Sequence, residues 1–227
     1  MSKKASNPMK LIVSVTIVVF ILLTAIIVLT NNKNKESGDV TLTKQVPIEN
    51  QPTIGDTTSP VSVVEFGDYK CPACKQWSAY IFPQLKEDYI DTGKISFTYI
   101  NVLFHGDESV LGSLAGEAIW NQDPEAFWDF SKALYQAQPE NQSHDEPWLT
   151  FEKVMEVAQN SVPKLNLEKL EQDLTNKTYE DDVLIDDKLV SEFKVELTPS
   201  IVINGTMVED PYDYEYIKEL IERGLEK

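Results

Sequence analysis

The stretch Val63-Val64-Glu65-Phe66-Gly67-Asp68-Tyr69-Lys70-Cys71-Pro72-Ala73-Cys74 runs from an apolar, β-branched segment straight into a pair of cysteines. Its first half, extended back to Val61 and bounded by Pro60 and Gly67, predicts a buried strand. Beyond it, Cys71, Cys74, Trp77, Ile81 and Leu85 recur at spacings of three and four, one face of a helix. Pro83 should kink that helix, because it cannot donate an internal hydrogen bond. Ile95 to Ile100 alternates and predicts a second strand. Strand, helix and strand in such close succession imply a βαβ unit with parallel strands.

Working outward, the middle of the chain changes period. Leu111, Leu114, Ala115, Ala118 and Ile119 form one helical stripe, and Phe127, Phe130, Leu134 and Val154, Val157, Ala158 form others. Pro124, Pro139, Pro147 and Pro163 punctuate them. Ser200 to Ile203 and Thr206 to Val208 flank Asn204-Gly205, the dipeptide that most strongly signals a two-residue hairpin. A final helix is expected over 212–225, with Tyr212, Tyr214 and Tyr216 at packing and cap positions. The fold class is α/β, interrupted by a helical block. Residues 31–56 are polar and weakly periodic and read as a linker with a loosely attached N-terminal extension.

Charge and hydropathy place the domain. The 227 residues carry 20 basic and 37 acidic side chains, net −17. Residues 1–35 hold five lysines and no acid, so the remaining 192 carry 15 basic and 37 acidic groups, net −22. A surface this negative repels phosphates, which excludes nucleic acid as a partner. Leu11 to Thr30 is an uncharged run that would span ~30 Å as a helix, the thickness of a bilayer core. Lys3, Lys4 and Lys10 precede it, which predicts a cytoplasmic N-terminus and an extracytoplasmic domain. The apolar run is longer than a signal peptide's and its exit is a poor cleavage site, so an uncleaved anchor is preferred over cleavage.

Cys71 and Cys74 are the only cysteines. On the first turn of a helix the two can form a disulfide. Cys71 would sit at the helix N-terminus, where free N–H groups and the macrodipole favour a thiolate. Lys70 and Lys75 flank the motif and are expected to add to that effect. Pro72 suits a first turn, which needs no N–H from it. Cys74, one turn in, is expected to be the buried resolving thiol. Zinc would need further Cys or His ligands, and His105 and His144 stand 31 and 70 residues beyond Cys74 without finger spacing. A purely structural bridge over so small a loop would be a weak staple. A Cys/His hydrolase would not need the second thiol. Both histidines read as loop or cap residues.

The quoted active-site stretch resembles that of DsbA-like thiol:disulfide oxidoreductases of the thioredoxin superfamily. Leu197-Thr198-Pro199-Ser200-Ile201-Val202-Ile203-Asn204-Gly205 resembles their cis-proline loop and hairpin. Trp120 to Trp128 is similar to part of their inserted helical domain. With the apolar N-terminal run, the resemblance narrows to the membrane-attached BdbD type of Gram-positive bacteria. It implies a thioredoxin-like fold with an inserted helical domain, preceded by a single transmembrane helix. The expected divisions are 1–35 tail and anchor, 36–56 linker and extension, 57–106 first half, 107–190 helical insertion and 191–227 second half. It also implies a redox-active Cys71–Cys74 pair. Glu65 would be a buried acid that accepts the Cys74 proton. Pro199 would be a cis-proline facing the pair, and Thr198, Pro72 and Ala73 would line the substrate.

The activity implied is disulfide formation in exported proteins that carry reduced cysteines. Reoxidation would come from a membrane quinone-linked partner of the DsbB or vitamin-K-epoxide-reductase (VKOR) type. The alternatives are a reductase or isomerase on the same scaffold, and a binding module with a vestigial disulfide. Some relatives pair the buried acid with a lysine, and none stands at 95–104. No cofactor and no catalytic metal are expected. The run Glu180-Asp181-Asp182, with Asp186-Asp187, reads first as a solvated helix face; joined by Glu117, its hard oxygens would also suit a structural Ca²⁺.

Overall fold

A computed structural model of the chain describes residue 19 and residues 38–140 and 146–226. The chain divides into two units, Met1–Gly38 and Asp39–Lys227. The expected membrane span at 11–30 and His144 lie outside the described residues, apart from Val19. Among the described residues no helix is long and apolar enough to cross a membrane.

The second unit is built on one sheet with the order β1-β6-β5-β3-β4-β2. Its strands are β1 (Val40–Thr41), β2 (Thr53–Gly55), β3 (Ser62–Gly67), β4 (Ser96–Asn101), β5 (Ser200–Ile203) and β6 (Thr206–Met207). As expected, β3 and β4 are parallel, with Glu65 opposite Tyr99. On its other side β3 pairs antiparallel with β5, Glu65 opposite Ile201. Both central strands are buried almost throughout, as a sheet covered on two faces requires. The β5–β6 hairpin turns on Asn204 and Gly205, both at positive φ (46° and 81°), the conformation that favours Asn-Gly.

One expectation is corrected at the sheet edges. The 36–56 stretch is not a loose extension: β1 pairs with β6 and β2 pairs with β4, so its residues close both edges. Val46 and Gln51 are buried there. Strands of two and three residues suit edges, where long exposed ladders invite aggregation.

The helix after β3 breaks near the predicted proline. Helix α1 (Pro72–Tyr80) ends at Ile81, and α2 (Phe82–Leu85) carries Pro83 in its first turn and continues into a π-helical turn, Lys86–Ile90. Between β4 and β5 stand α3 (Asp107–Gln122), α4 (Pro124–Gln136), α5 (Phe151–Ser161), α6 (Leu167–Asn176) and α7 (Glu180–Glu192). Asp123, Thr150 and Asn166 cap α4, α5 and α6 through their side chains. The last helix, α8 (Tyr214–Leu225), is capped by Asp213 and so starts two residues later than the periodicity implied.

Three apolar cores follow. One fills the helical block and reaches Tyr69, Cys74 and Tyr99. A second packs α1 and α8 against the sheet through Trp77, Phe97, Ile201 and Ile217. A third lies between the sheet and the end of α7, around Phe66, Ile100 and Phe193. Gly67, which ends β3, lies against the Tyr99 ring; a Cβ there would stand 2.6 Å from it.

Candidate active site

Chain direction alone sets up the catalytic turn. β3 delivers Asp68 into a tight bend whose carbonyl accepts the Cys71 N–H at 3.0 Å. Cys71 is the N-cap of α1, and Pro72 occupies its first turn. The pair is in the dithiol form. Cys71 is 7% exposed and Cys74 is fully buried in the helical-block core, as expected of an attacked and a resolving thiol.

Position splits the two thiols. Cys71 is lowered to about 5, first by a hydrogen bond from the Cys74 thiol, against the opposing effect of burial. The Thr198 side chain and the N–H groups of Cys74 and Ala73 lower it further. Cys74 is pushed well above the usual thiol range by burial, then by the Cys71 sulfur it serves. The Asp68 N–H reaches the Cys74 sulfur at 3.5 Å.

The second expected element meets the first. The Thr198–Pro199 bond is cis. The Thr198 carbonyl lies 3.4 Å from the Cys71 sulfur and accepts from its thiol. Pro199 is buried, Thr198 half-buried and Pro72 exposed. Ala73 turns its carbonyl to the Tyr212 hydroxyl, which donates at 2.6 Å. Tyr212 is thus a latch on the catalytic turn rather than a helix-packing residue; its hydroxyl comes from a segment 139 residues away.

Glu65 sits beneath the pair on the central strand. Its side chain is buried, and Oε1 has no hydrogen-bond partner. Burial raises its carboxyl well above the ordinary range, with the Cys71 charge adding to it. A small cavity opens beside it, lined in part by Ser78, Tyr99, Ser131, Tyr135 and Lys132. Lys132 of α4 lines the same cavity with its side chain exposed, and no hydrogen bond reaches Glu65 Oε1.

The flanking lysines depart from expectation. Lys70 is buried, and its ammonium pairs with Glu108 and donates to the Glu146 carbonyl at 3.0 Å. Lys75 donates to the Gln138 carbonyl at 2.6 Å. Neither ammonium makes its bonds at Cys71; both tie the turn to the helical block. Gln138 returns the tie, donating to the carbonyls of Tyr69 and Cys71. His105 is likewise no plain loop residue, because its Nδ1 lies 2.6 Å from the buried Asp68 carboxylate.

The acidic run of α7 is solvated as read at Glu180, Asp181 and Asp187, but departs from that reading at Asp186. Asp186 is fully buried. It accepts from Gln51 Nε2 at 2.7 Å and from Asn101 N and Nδ2 at 3.0 and 2.8 Å. Asn101 also donates to Glu117 at 2.9 Å. Burial raises Asp186 to about 6 and Glu117 to about 8, and Asp186 and Asp182 add to the rise at Glu117. Gln51 Oε1 and Asn101 Oδ1 are buried without a hydrogen-bond partner. Among the described residues no group of three or more His, Cys, Asp or Glu is arranged to hold a metal ion. The set here is instead two carboxylates and two amides.

A proline held cis against a thiol pair at a helix N-terminus, on this sheet, defines the class. A family model described as Thioredoxin matches residues 48–223. The chain belongs to this family, and it is a thiol:disulfide oxidoreductase. Disulfide bond formation protein D of Bacillus subtilis is 38% identical over 195 residues, 86% of either chain. The crystal structure of oxidised BdbD from Bacillus subtilis superposes with a TM-score of 0.77 at 37% identity, covering 82% of this chain and 99% of that one. Chlamydia trachomatis DsbA shares the fold at 24% identity, with a TM-score of 0.67, over 76% of this chain and 90% of its own.

Proposed function

We propose that the chain is a membrane-anchored, extracytoplasmic disulfide oxidase acting through Cys71–Cys74. One observation carries the reading: the fold holds Cys71 near 5 while pushing Cys74 far up. A stabilised thiolate favours the reduced pair, which makes its disulfide a strong acceptor of electrons. A substrate thiolate attacks the Cys71 sulfur, the Cys71–Cys74 bond breaks, and Cys74 leaves as a thiolate that takes a proton from Glu65. A second substrate thiolate then attacks the substrate sulfur of the mixed disulfide. Cys71 departs as a thiolate, and the substrate has lost two electrons to the pair. The Thr198 carbonyl meets Cys71 next to cis Pro199, with Pro72 exposed and Ala73 half-buried on the first turn of α1, so these four would contact the substrate chain.

The substrates are exported proteins with reduced cysteines, since the apolar run at 11–30 and its flanking lysines favour export with retention in the membrane. The chain has no second cysteine pair, so reoxidation needs a partner disulfide, of the quinone-linked DsbB or VKOR type. In that half-reaction Glu65 takes the Cys74 proton, freeing Cys74 to attack the mixed disulfide. Equilibration with glutathione tests the direction. The pair should be more oxidising than glutathione, with fast thiol exchange that Cys71→Ser abolishes. A pair that stays oxidised in excess reduced glutathione would instead identify a reductase.

We also propose that Ca²⁺ binds structurally among Gln51, Asn101, Glu117 and Asp186. The support is the two orphaned amide oxygens beside two carboxylates, hard ligands of the kind Ca²⁺ takes. A melting temperature that rises with added Ca²⁺, and no longer rises in Glu117→Gln, would bear this out; an unchanged melt would not.

A further inference from the structure

We propose that His105 is a positioning residue for the exchange reaction: pinned by Asp68 beside the catalytic turn, its imidazolium supplies positive charge that favours the Cys71 thiolate and so helps set how oxidising the pair is. This rests on the reading that Cys71 is the attacked sulfur.

Asp68 is the hub. Its backbone holds both cysteines, the carbonyl accepting from the Cys71 backbone N–H and its own N–H reaching the Cys74 sulfur. Its carboxylate is wholly buried and accepts from the Lys70 N–H at 2.9 Å and from Ser109 Oγ at 2.9 and 2.8 Å. A buried carboxylate beside a thiolate works against that thiolate unless a cation neutralises it. Lys70 does not play that part, because its ammonium is engaged by Glu108 and the Glu146 carbonyl. His105 does, with Nδ1 2.6 Å from Asp68 Oδ2 and a side chain only 15% exposed. The His105 backbone is fixed as well, since its amide N–H donates to Ser109 Oγ at 3.0 Å. The ion pair thus joins the α3 entry to the β3–α1 turn.

Electrostatics agree with the placement. The Asp68 hydrogen bond raises the imidazole above its ordinary value, and the Cys71 charge raises it again; burial and Lys70 oppose. Coupling of this kind is reciprocal: if the thiolate favours the imidazolium, the imidazolium favours the thiolate by the same factor. The charged groups around His105 are Asp68, Lys70 and Cys71 on the turn, with Asp107 and the Lys70-bound Glu108 on the first turn of α3.

The proton balance gives the test its pH signature. A substrate dithiol and the Cys71–Cys74 disulfide yield a substrate disulfide, a Cys71 thiolate, a Cys74 thiol and one proton. Two electrons pass from the substrate sulfurs to the pair. Where His105 is not already protonated, the new thiolate draws that proton to it. The help given to the thiolate is therefore present at low pH and lost as pH rises through the histidine's folded midpoint.

The experiment uses the full chain with His105→Gln and His105→Lys, each confirmed folded by its oxidised melting curve. Thiolate absorbance against pH and the glutathione equilibrium at pH 6 and pH 9 are measured. In His105→Gln the Cys71 midpoint should rise. The equilibrium constant at pH 6 should move roughly three- to tenfold towards the oxidised pair, the scale of one nearby charge. Towards pH 9 the two proteins should converge, as the wild-type imidazole gives up its proton. His105→Lys should match wild type at pH 6 and be more oxidising than it at pH 9. An unmoved midpoint, or a difference of equal size at both pH values, would overturn the proposal. A wild-type pair that is weakly oxidising would defeat the oxidase reading alone, since His105 is judged by the difference between proteins.

Discussion

The catalytic turn and the polar pocket between β4, α3 and α7 both take acids out of water, yet Cys71 is driven down while Glu117 and Asp186 are driven up. Burial opposes the charged form in both places. At the turn it is outweighed by donors: a neighbouring thiol, the Thr198 side chain and two N–H groups at the start of α1. In the pocket the donors are amides shared between two carboxylates, and the carboxylates also repel each other. The outcome follows the balance of donors against burial: three donors still lose to burial at Asp186. Glu65 belongs with the pocket acids in this respect, because no donor reaches its Oε1.

The largest expected effect sharpens the comparison at Glu65. Glu65→Gln keeps the shape and removes the exchangeable proton. Steps that load or unload the Cys74 proton should slow by roughly 10²-fold, the scale of general acid–base help. The second substrate attack, in which Cys71 leaves and no Cys74 proton moves, should change little. Separate measurement of mixed-disulfide formation and release would show this, and equal slowing of both would break the distinction.

Next in size is the pocket. Glu117 has its folded value raised to about 8, so its contribution is present below the unfolded carboxylate range and lost as pH rises through 8. Without added metal, Glu117→Gln should melt as wild type does near pH 5. At pH 7 to 8 it should be more stable, by about 1–3 kcal/mol. A variant that loses stability equally at every pH would show that Glu117 serves only its hydrogen bond.

A similar size with the opposite sign applies to the reduced pair. Cys71 is depressed, so its contribution is complete above the unfolded thiol value and is lost as pH falls through about 5. At pH 7, two units above the folded midpoint, it amounts to about 3 kcal/mol in favour of the reduced protein. Urea melts of the reduced and oxidised forms at pH 7 and pH 4.5 should show that advantage at the first and not the second. The smallest effect is expected of Tyr212→Phe. Losing its bond to the Ala73 carbonyl should cost about 1 kcal/mol in melts while leaving the Cys71 midpoint nearly in place.

Much of this was legible from local pattern. The βαβ unit, the Asn-Gly hairpin and the Cys71–Cys74 turn each announce themselves within a dozen residues. The cis-proline and the buried acid came only through resemblance, because nothing in the spacing of Thr198-Pro199 or Val64-Glu65-Phe66 fixes a peptide isomer or a side-chain direction. What stayed hidden was non-local. β1 and β2 are too short to carry a period of two, and the sheet rather than their own sequence makes them strands. Asp186 sits in a run of acids whose neighbours Asp182 and Asp187 are more accessible, so only the packing of α7 against β4 reveals it as buried. Lys70 looked like a partner for Cys71 by adjacency. Its long side chain instead reaches Glu108, 38 residues on, and the charge near the turn comes from His105.

The most direct test of the central claim, that the fold sets the two thiols apart, is the alkylation rate of each cysteine in the reduced protein as a function of pH. Cys71 should react with a half-point near pH 5 and be modified rapidly at pH 6, while Cys74 stays protected until the protein unfolds. Equal rates for Cys71 and Cys74 at pH 6, or a Cys71 half-point at the ordinary thiol value, would contradict it.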